Sequence, residues 1–584
     1  MKLVLTTLNA KFIHSSIALK YLEVACRPIC PEVVCKEYTI NNELLTILSD
    51  IYKERPTIVG MACYIWNIDM TLQLAGLLKK VLPKVIIVLG GPEVTYDPAD
   101  ILKQHCCVDY IVQGEGEEVL PALLEVFQSC KSLNGIAGLA FRQNDAIITG
   151  EPQIVADLNN IPFPYCDLDV DKLKDRIIYY ESARGCPFSC SYCLSSVTCG
   201  VRFLSLDRVY KDLQFFITHN VRQVKFVDRT FNARKEHYLP ILRFLANSDC
   251  DTNFHFEIAA DVLDDEVLEF LKEVPVGRFQ FEIGIQSTYE QTLDKISRHN
   301  NWLKITDYVK KIISYQNIHV HLDLIVGLPQ ESYERFGQSF NDVYQLQPHM
   351  LQIGFLKMLK GAVIRTEAYK YNYVFLDYAP YEVLSNDSMN YGDIRKLKIL
   401  EEIFNQVYNT GRFKYALRFL INLHKDSFAF YDALATYWEG RNLHLLSHSS
   451  KSLYKYLMDF CQVYHAQEVD VVQEFLKFDA IISEKEMVRP DVLSWNKELW
   501  GKEKRAFWGS HENVLNYLPD YIFTNWRDVN KKYPIEVFSI DIIEYLQSGA
   551  IVKKDTPVLF SCTQDAVMYQ PLKGHSFWLG GVRD

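Results

Sequence analysis

Short apolar segments rich in valine and isoleucine alternate with stretches of helical periodicity, and the alternation runs twice along the chain. In the first round the strand segments are Lys2–Leu8, Val33–Tyr38, Thr57–Cys63, Lys84–Leu89 and Val108–Val112. Helical periodicity follows at Ile17–Cys26, Glu43–Lys53, Met70–Val81 and Glu117–Phe127. Strands that alternate with helices bury their apolar side chains in a parallel sheet covered on both faces. Residues 1–130 are therefore expected to form a doubly wound, flavodoxin-like α/β domain with its ligand edge at the carboxyl ends of the strands.

Residues 131–176 break this rhythm. Gly138–Arg142 and Ala146–Thr149 flank Gln143-Asn144-Asp145 and predict a hairpin. Ile161-Pro162-Phe163-Pro164-Tyr165 then reads as an extended linker, because proline excludes helix. The second round spans residues 177–370, with strands expected at Arg176–Glu181, Gln223–Val227, Asn253–Ala259, Arg278–Ile285, His319–Ile325 and Met350–Phe355. Helices between them include Asp207–Thr218, Asp265–Lys272 and Tyr333–Tyr344. Six such units predict a partial (βα)6 TIM-like barrel with its reactive groups at the carboxyl ends of the strands. Residues 371–584 are expected to be a mostly α-helical domain, from the periodicity of Ile394–Tyr408, Tyr415–Leu423 and Ser452–Tyr464, with a last apolar run at Pro557–Phe560.

The net charge of −11 and the lack of a Lys/Arg run give nucleic-acid binding no support. No apolar stretch is long enough to span a membrane. The apolar start, Met1–Leu8, is too short for a signal peptide. A cytoplasmic location is expected, with the 15 cysteines reduced. Most, such as Cys63, Cys250 and Cys461, read as small buried hydrophobes.

Three cysteines read differently. Ala183-Arg184-Gly185-Cys186-Pro187-Phe188-Ser189-Cys190-Ser191-Tyr192-Cys193 sets thiols at i, i+4 and i+7, directly after the first expected barrel strand. Thiolates ligate iron–sulfur clusters, and short spacings let one loop wrap a cluster corner. Gly185 lets the backbone turn, and Ser189 and Ser191 let it pass close. Three cysteines leave one iron of a 4Fe-4S cluster open. Zinc is the alternative, with Cys199 as a fourth ligand.

The CxxxCxxC spacing with Tyr192 before the third cysteine resembles the radical S-adenosylmethionine (SAM) superfamily. The resemblance implies a 4Fe-4S cluster on Cys186, Cys190 and Cys193, SAM on the open iron, and reductive cleavage of SAM to a 5′-deoxyadenosyl radical. It extends down the barrel. Val224–Phe231 matches the segment that binds the methionine end of SAM, with Asp228 as acceptor for its amino group, although the family's glycine-rich motif is missing there. Glu257 stands on the third strand. Gln286 and Ser287 match the residues that reach the ribose or carboxylate, and Asp323–Pro329, with Gly327, matches the segment beside the adenine.

A doubly wound domain ahead of such a barrel resembles the cobalamin-dependent branch. Val88-Leu89-Gly90-Gly91-Pro92-Glu93 matches the segment where Gly90 and Gly91 let the backbone pass the cobalamin tail, and Gln113–Glu117 closes the domain in the same way. The Asp-x-His-x-x-Gly loop of cobalamin enzymes is missing. His14 lies in about its place and is a candidate lower ligand; alternatively His14 is a loop residue ahead of a helix capped by Ser15 or Ser16. Asn9–Leu22 and Leu351–Lys357, followed by Gly361, resemble a bacterial family of this branch with a helical C-terminal domain.

The resemblance implies a cobalamin-dependent methyltransferase acting on an unactivated carbon of a small molecule or peptide, fed by an electron donor such as flavodoxin or ferredoxin. Three other readings stand beside it. One is a radical SAM cyclase or rearrangement enzyme. Another is a methylthiotransferase-like tRNA enzyme, with Cys26, Cys30 and Cys35 as a second triplet. The last is a non-enzymatic cobalamin or iron–sulfur sensor.

Overall fold

The computed structural model describes residues 1–572 except 130–131, 134, 145, 166–172, 174–175, 199, 484–488, 496–498 and 563–566. It divides into two compact units, Met1–Ile394 and the chain from Arg395 onward.

The first sheet is built from β1 (Leu3–Asn9), β2 (Val33–Thr39), β3 (Ile58–Ala62), β4 (Ile86–Gly90), β5 (Tyr110–Val112), β6 (Leu139–Gln143) and β7 (Ala146–Ile148). Its order is β2-β1-β3-β4-β5-β6-β7. The first five strands run parallel, with Leu3 opposite both Val33 and Ile58. This is the flavodoxin-like order expected. Strand β1 is buried along its whole length, and its period-2 alternation feeds two cores: Val4 and Leu8 on one face, Leu3 and Leu5 on the other. The predicted hairpin forms, with its turn residue Asp145 outside the described residues. It is not a spacer, because β6 pairs antiparallel with β5, Phe141 opposite Tyr110, and so extends the sheet.

The second sheet contains β8 (Ile178–Tyr180), β11 (Gln223–Phe226), β12 (Asn253–Ile258), β13 (Phe279–Gln286), β14 (His319–Val326) and β15 (Met350–Phe355). Between β8 and β11 lies a small ladder of β9 (Ala183–Gly185) and β10 (Val201–Phe203). The six barrel strands pair in parallel, in the order β15-β14-β13-β12-β11-β8. The two end strands do not pair, so the barrel stays open along one side. Residues beyond 370 belong to this unit as far as Ile394, which moves the expected boundary. Tyr373 Oη and Asn386 Nδ2 both donate to the Gly327 carbonyl, at 2.9 and 3.0 Å.

The second unit is mostly helical, as expected, but not wholly. Beyond the three predicted helices it has Ser427–Gly440 and Val469–Ile482. Ser427–Gly440 escapes a periodicity search because apolar side chains surround it, with Phe430, Tyr431, Leu434 and Trp438 all buried. The run Pro557–Phe560 belongs to the strand Lys553–Cys562, the middle one of an antiparallel sheet with the strands Ile535–Ile540 and Val567–Pro571.

Candidate cofactor sites

The cysteine loop leaves β9 at Gly185, whose φ is +108°. A Cβ there would stand 2.2 Å from the Gly200 carbonyl oxygen, so only glycine fits. The loop is tied down from both sides. Ser191 N donates to Ile296 O at 2.9 Å, and Ile364 N donates to Ser191 O at 2.9 Å. Ser196 Oγ donates to the Cys190 and Cys193 carbonyls. Cys186, Cys190 and Cys193 are free thiols. Tetrahedral zinc would draw thiolate sulfurs to roughly 3.8 Å of one another. Among the described residues, the group of three His, Cys, Asp or Glu ligand atoms all within 4.8 Å of one another contains none of these cysteines. The three sulfurs do not all lie within that distance of one another. Cys199, the fourth zinc ligand considered, lies outside the described residues.

Arg298, which sequence reading missed, completes this site. Its Nη1 stands 3.6 Å from Cys190 Sγ and its Nη2 donates to the Gly284 carbonyl. A guanidinium beside a thiolate offsets the charge of a reduced cluster. Tyr192 lies against the same group, and burial pushes its phenol up.

The other expected SAM residues divide. Gln286 (φ +71°) folds its amide over Gly284, and its Oε1 is buried without a partner. Glu257 lies within electrostatic reach of Arg229 and Glu282, and burial raises its carboxyl. Three residues have other work. Asp228 is 1% exposed, and its two oxygens accept from Ser182 N at 2.8 Å and Ser182 Oγ at 2.6 Å. It holds the turn just after β8, and burial pushes its carboxyl up to about 7. Ser287 is fully buried and donates to Glu331 Oε1 at 2.6 Å. The carbonyl of Gly327 is taken by Tyr373 and Asn386.

At the carboxyl edge of the first sheet lies a cavity of about 450 Å³. Gly60, Gly90, Gly91, Gly114 and Gly116 line it together with Leu5, Leu19 and Leu120. Glu181, Arg184 and Arg229, from the barrel, also line it. The two adjacent glycines differ. A Cβ on Gly90 would meet nothing nearer than 3.8 Å. Gly91 has φ +107°, and a Cβ there would stand 2.6 Å from the Cys63 carbonyl oxygen. Gly91 is thus demanded by the protein's own backbone, whereas Gly90 leaves room for something else. A glycine- and leucine-lined wall of this kind suits a cobalamin tail.

His14 is not among the cavity's lining residues. Its Nδ1 lies 2.6 Å from Tyr179 Oη, and Ser16 caps the following helix by accepting from Leu19 N. This is the loop-residue geometry, and nothing in it aims His14 at the cavity. Cys26, Cys30 and Cys35 make no second cluster loop. Cys26 and Cys30 are at most 1% exposed, and burial pushes the Cys26 thiol up to about 12.

An ion network joins the two sheets. Arg184, two residues before the first cluster cysteine, meets Glu117 Oε1 at 2.8 Å and Glu115 Oε2 at 3.2 Å, at the end of β5. Arg202 Nη2 donates to Glu115 Oε1 at 2.6 Å. Glu181, Glu117 and Glu115 together keep the Arg184 guanidinium firmly charged against the cost of its burial.

Three family models match the chain in succession. Residues 3–124 match a B12 binding domain, residues 180–343 the radical SAM superfamily, and residues 369–560 a protein of unknown function (DUF4080). The chain is similar to the 2-(S-pantetheinyl)-carbapenam-3-carboxylate methyltransferase of Streptantibioticus cattleyicolor, with 27% identity over 50% of this chain and 46% of that one. It is also similar to the cobalamin-dependent radical SAM methyltransferase TokK of Streptomyces tokunonensis, with 25% identity over 53% and 48%. It thus spans about half the length of these relatives. The solved structure of the cobalamin-dependent radical enzyme OxsB, with aqua-cobalamin and SAM bound, superposes with a TM-score of 0.59 at 13% identity, covering 80% of each chain. Fold and models together define a radical SAM barrel preceded by a B12 binding domain. This chain matches both of those models, and a DUF4080 model behind the barrel.

Proposed function

We propose that this chain is a cobalamin-dependent radical SAM methyltransferase acting on an unactivated carbon of a small molecule or peptide. The observation that carries the reading is the shared cavity, with glycine and leucine walls from the first sheet and Glu181, Arg184 and Arg229 from the barrel. When bound, the cluster supplies the electron that splits SAM, and cobalamin supplies a carrier for the methyl group.

The chain's own part is binding and exclusion of water. Cys186, Cys190 and Cys193 would hold the cluster, and Arg298 would balance its charge. Gln286 Oε1, buried and unpartnered, is the free acceptor for SAM. Gly60, Gly90 and the leucines around them would hold the cobalamin tail in a dry slot. Arg184, tied to Glu115 and Glu117, would keep the cluster loop in fixed register with that slot. Among the described residues no helix is long and apolar enough to cross a membrane. Free thiols and a reducible cluster suit the cytoplasm and a flavodoxin- or ferredoxin-like electron donor.

The test is anaerobic turnover of the full chain with a reconstituted cluster, hydroxocobalamin, SAM and a strong reductant. Methyl transfer predicts both 5′-deoxyadenosine and S-adenosylhomocysteine. Formation of 5′-deoxyadenosine alone, with cobalamin bound, would favour the cyclase or rearrangement reading.

A further inference from the structure

The interior of a parallel barrel is ordinarily filled by branched apolar side chains. Here three neighbouring strands carry ionisable side chains at inward positions. Outward positions on β12 to β14 are apolar, such as Phe254, Phe281 and Leu322. The alternate positions carry His255 on β12, Glu282 on β13, and His321 and Asp323 on β14. Parallel pairing sets Glu282 opposite His321 and Gly284 opposite Asp323. Burying such groups is costly unless they are paired or coordinate a metal.

Their pairing is incomplete. His321 Nε2 lies 3.1 Å from Asp323 Oδ1, and His255 Nε2 lies 2.9 Å from Glu282 Oε2. Neither contact is aligned as a hydrogen bond: both imidazole nitrogens and Asp323 Oδ1 are buried without a partner. His321 is 5% exposed and His255 is 7%. Glu282, His321 and Asp323 offer ligand atoms that all lie within 4.8 Å of one another.

We propose that Glu282, His321 and Asp323 bind a divalent first-row transition-metal ion inside the barrel, apart from the cysteine loop. One imidazole and two carboxylates form a borderline nitrogen–oxygen set, suited to zinc, manganese or iron and poor for thiophilic ions. Three protein ligands leave a coordination position open toward the lumen, where an oxygen of a bound molecule can enter. His255, 2.9 Å from Glu282 Oε2 on the adjacent strand, would serve as its outer-shell partner once the ion aligns that carboxylate. Lys225 is the competitor. Its Nζ lies 2.8 Å from Glu282 Oε2, so the ammonium occupies a carboxylate that the ion needs and must swing away when the ion binds. The proposal does not depend on the cofactor reading.

Zinc is the probe, measured by equilibrium dialysis and elemental analysis. The background is the full chain with Cys186, Cys190 and Cys193 all changed to Ala, which removes thiolate zinc. The expected result is one zinc per chain with a dissociation constant below about 10 μM. His321→Gln and Asp323→Asn, close in shape to the originals, should each lose it by at least about a hundredfold, with unchanged circular dichroism. Lys225→Met should tighten it by about tenfold, since a cation is removed from beside the ion. Absence of zinc at that affinity would overturn the proposal. So would zinc retained unchanged in His321→Gln, or weaker binding in a folded Lys225→Met chain.

Discussion

Both main sheets of residues 1–394 gather their distinctive residues near the carboxyl ends of their parallel strands, but they bring different side chains there. The first sheet offers glycines and leucines around a cavity of about 450 Å³. The second offers a loop of three thiols, a buried guanidinium and a lumen of ionisable groups. A wall of glycine and leucine recognises by shape and gives way only to a molecule that fits it. A wall of charges recognises by chemistry, and each group must be either paired or used. Substitutions should therefore fail differently in the two regions, sterically in the first and electrostatically in the second.

The largest expected effect is on the thiol wall. Changing Cys186, Cys190 and Cys193 together to Ala should take the reconstituted protein from about four cluster irons to none and abolish SAM cleavage. Iron analysis and 5′-deoxyadenosine formation read this out. Full iron retention would put the cluster elsewhere.

The steric wall comes next. Gly90→Leu should fill the cavity without strain on its own backbone and abolish the spectral change on adding hydroxocobalamin, with the melting temperature nearly unchanged. Gly91→Ala should do the reverse. Its φ of +107° and the 2.6 Å approach to the Cys63 carbonyl should lower the melting temperature by several degrees, because the cost falls on the fold, about 1–3 kcal/mol. Equal cobalamin loss in both variants, with equal stability, would erase the distinction between the two glycines.

Arg298→Met should weaken SAM cleavage by about 10- to 100-fold, as the loss of a buried charged donor predicts. It should also lower the cluster's midpoint potential, because a positive charge beside Cys190 is removed. Arg298→Lys should restore part of the potential. A potential unchanged in Arg298→Met would make the contact incidental.

The smallest effect concerns Asp228. Its folded-state value, about 7, lies above that of an unfolded aspartate, so burial favours the protonated form. Its contribution is fully present below about pH 4 and is lost as pH rises through about 7. Asp228→Asn should therefore flatten the fall in melting temperature between those limits, by a few degrees, and leave SAM affinity within about twofold. A large loss of SAM affinity would return Asp228 to the ligand site.

Much of this was legible in the chain. Ile17–Cys26, Asp265–Lys272 and Met350–Phe355 have the bounds that periodicity gives them, since one face of each meets a core. The cysteine loop was legible because its spacing is local. Asp228 and Ser287 were harder: a polar residue at a strand end looks the same in sequence whether it meets a ligand or, as here, Ser182 or Glu331. Arg298 lies more than a hundred residues from Cys190, and no local pattern links them. The lumen residues did leave a trace. His255 and Glu257, then His321 and Asp323, recur at every second position between apolar neighbours, a pattern that a half-buried strand explains as well as a site does.

The segment after β15 carries a consequence for how such chains are assembled. The DUF4080 match begins at residue 369, but Tyr373 and Asn386 serve the Gly327 carbonyl. Tyr381 Oη donates at 2.8 Å to Glu93, a carboxylate buried at the end of β4. The seam at which a C-terminal module could be exchanged therefore lies about 25 residues beyond the border of sequence similarity, near Ile394. A recombination cut at 369 would leave a buried carboxylate and a buried carbonyl without donors. Grafts between relatives should be inherited with residues 370–394 travelling alongside the barrel, not with the helices that follow.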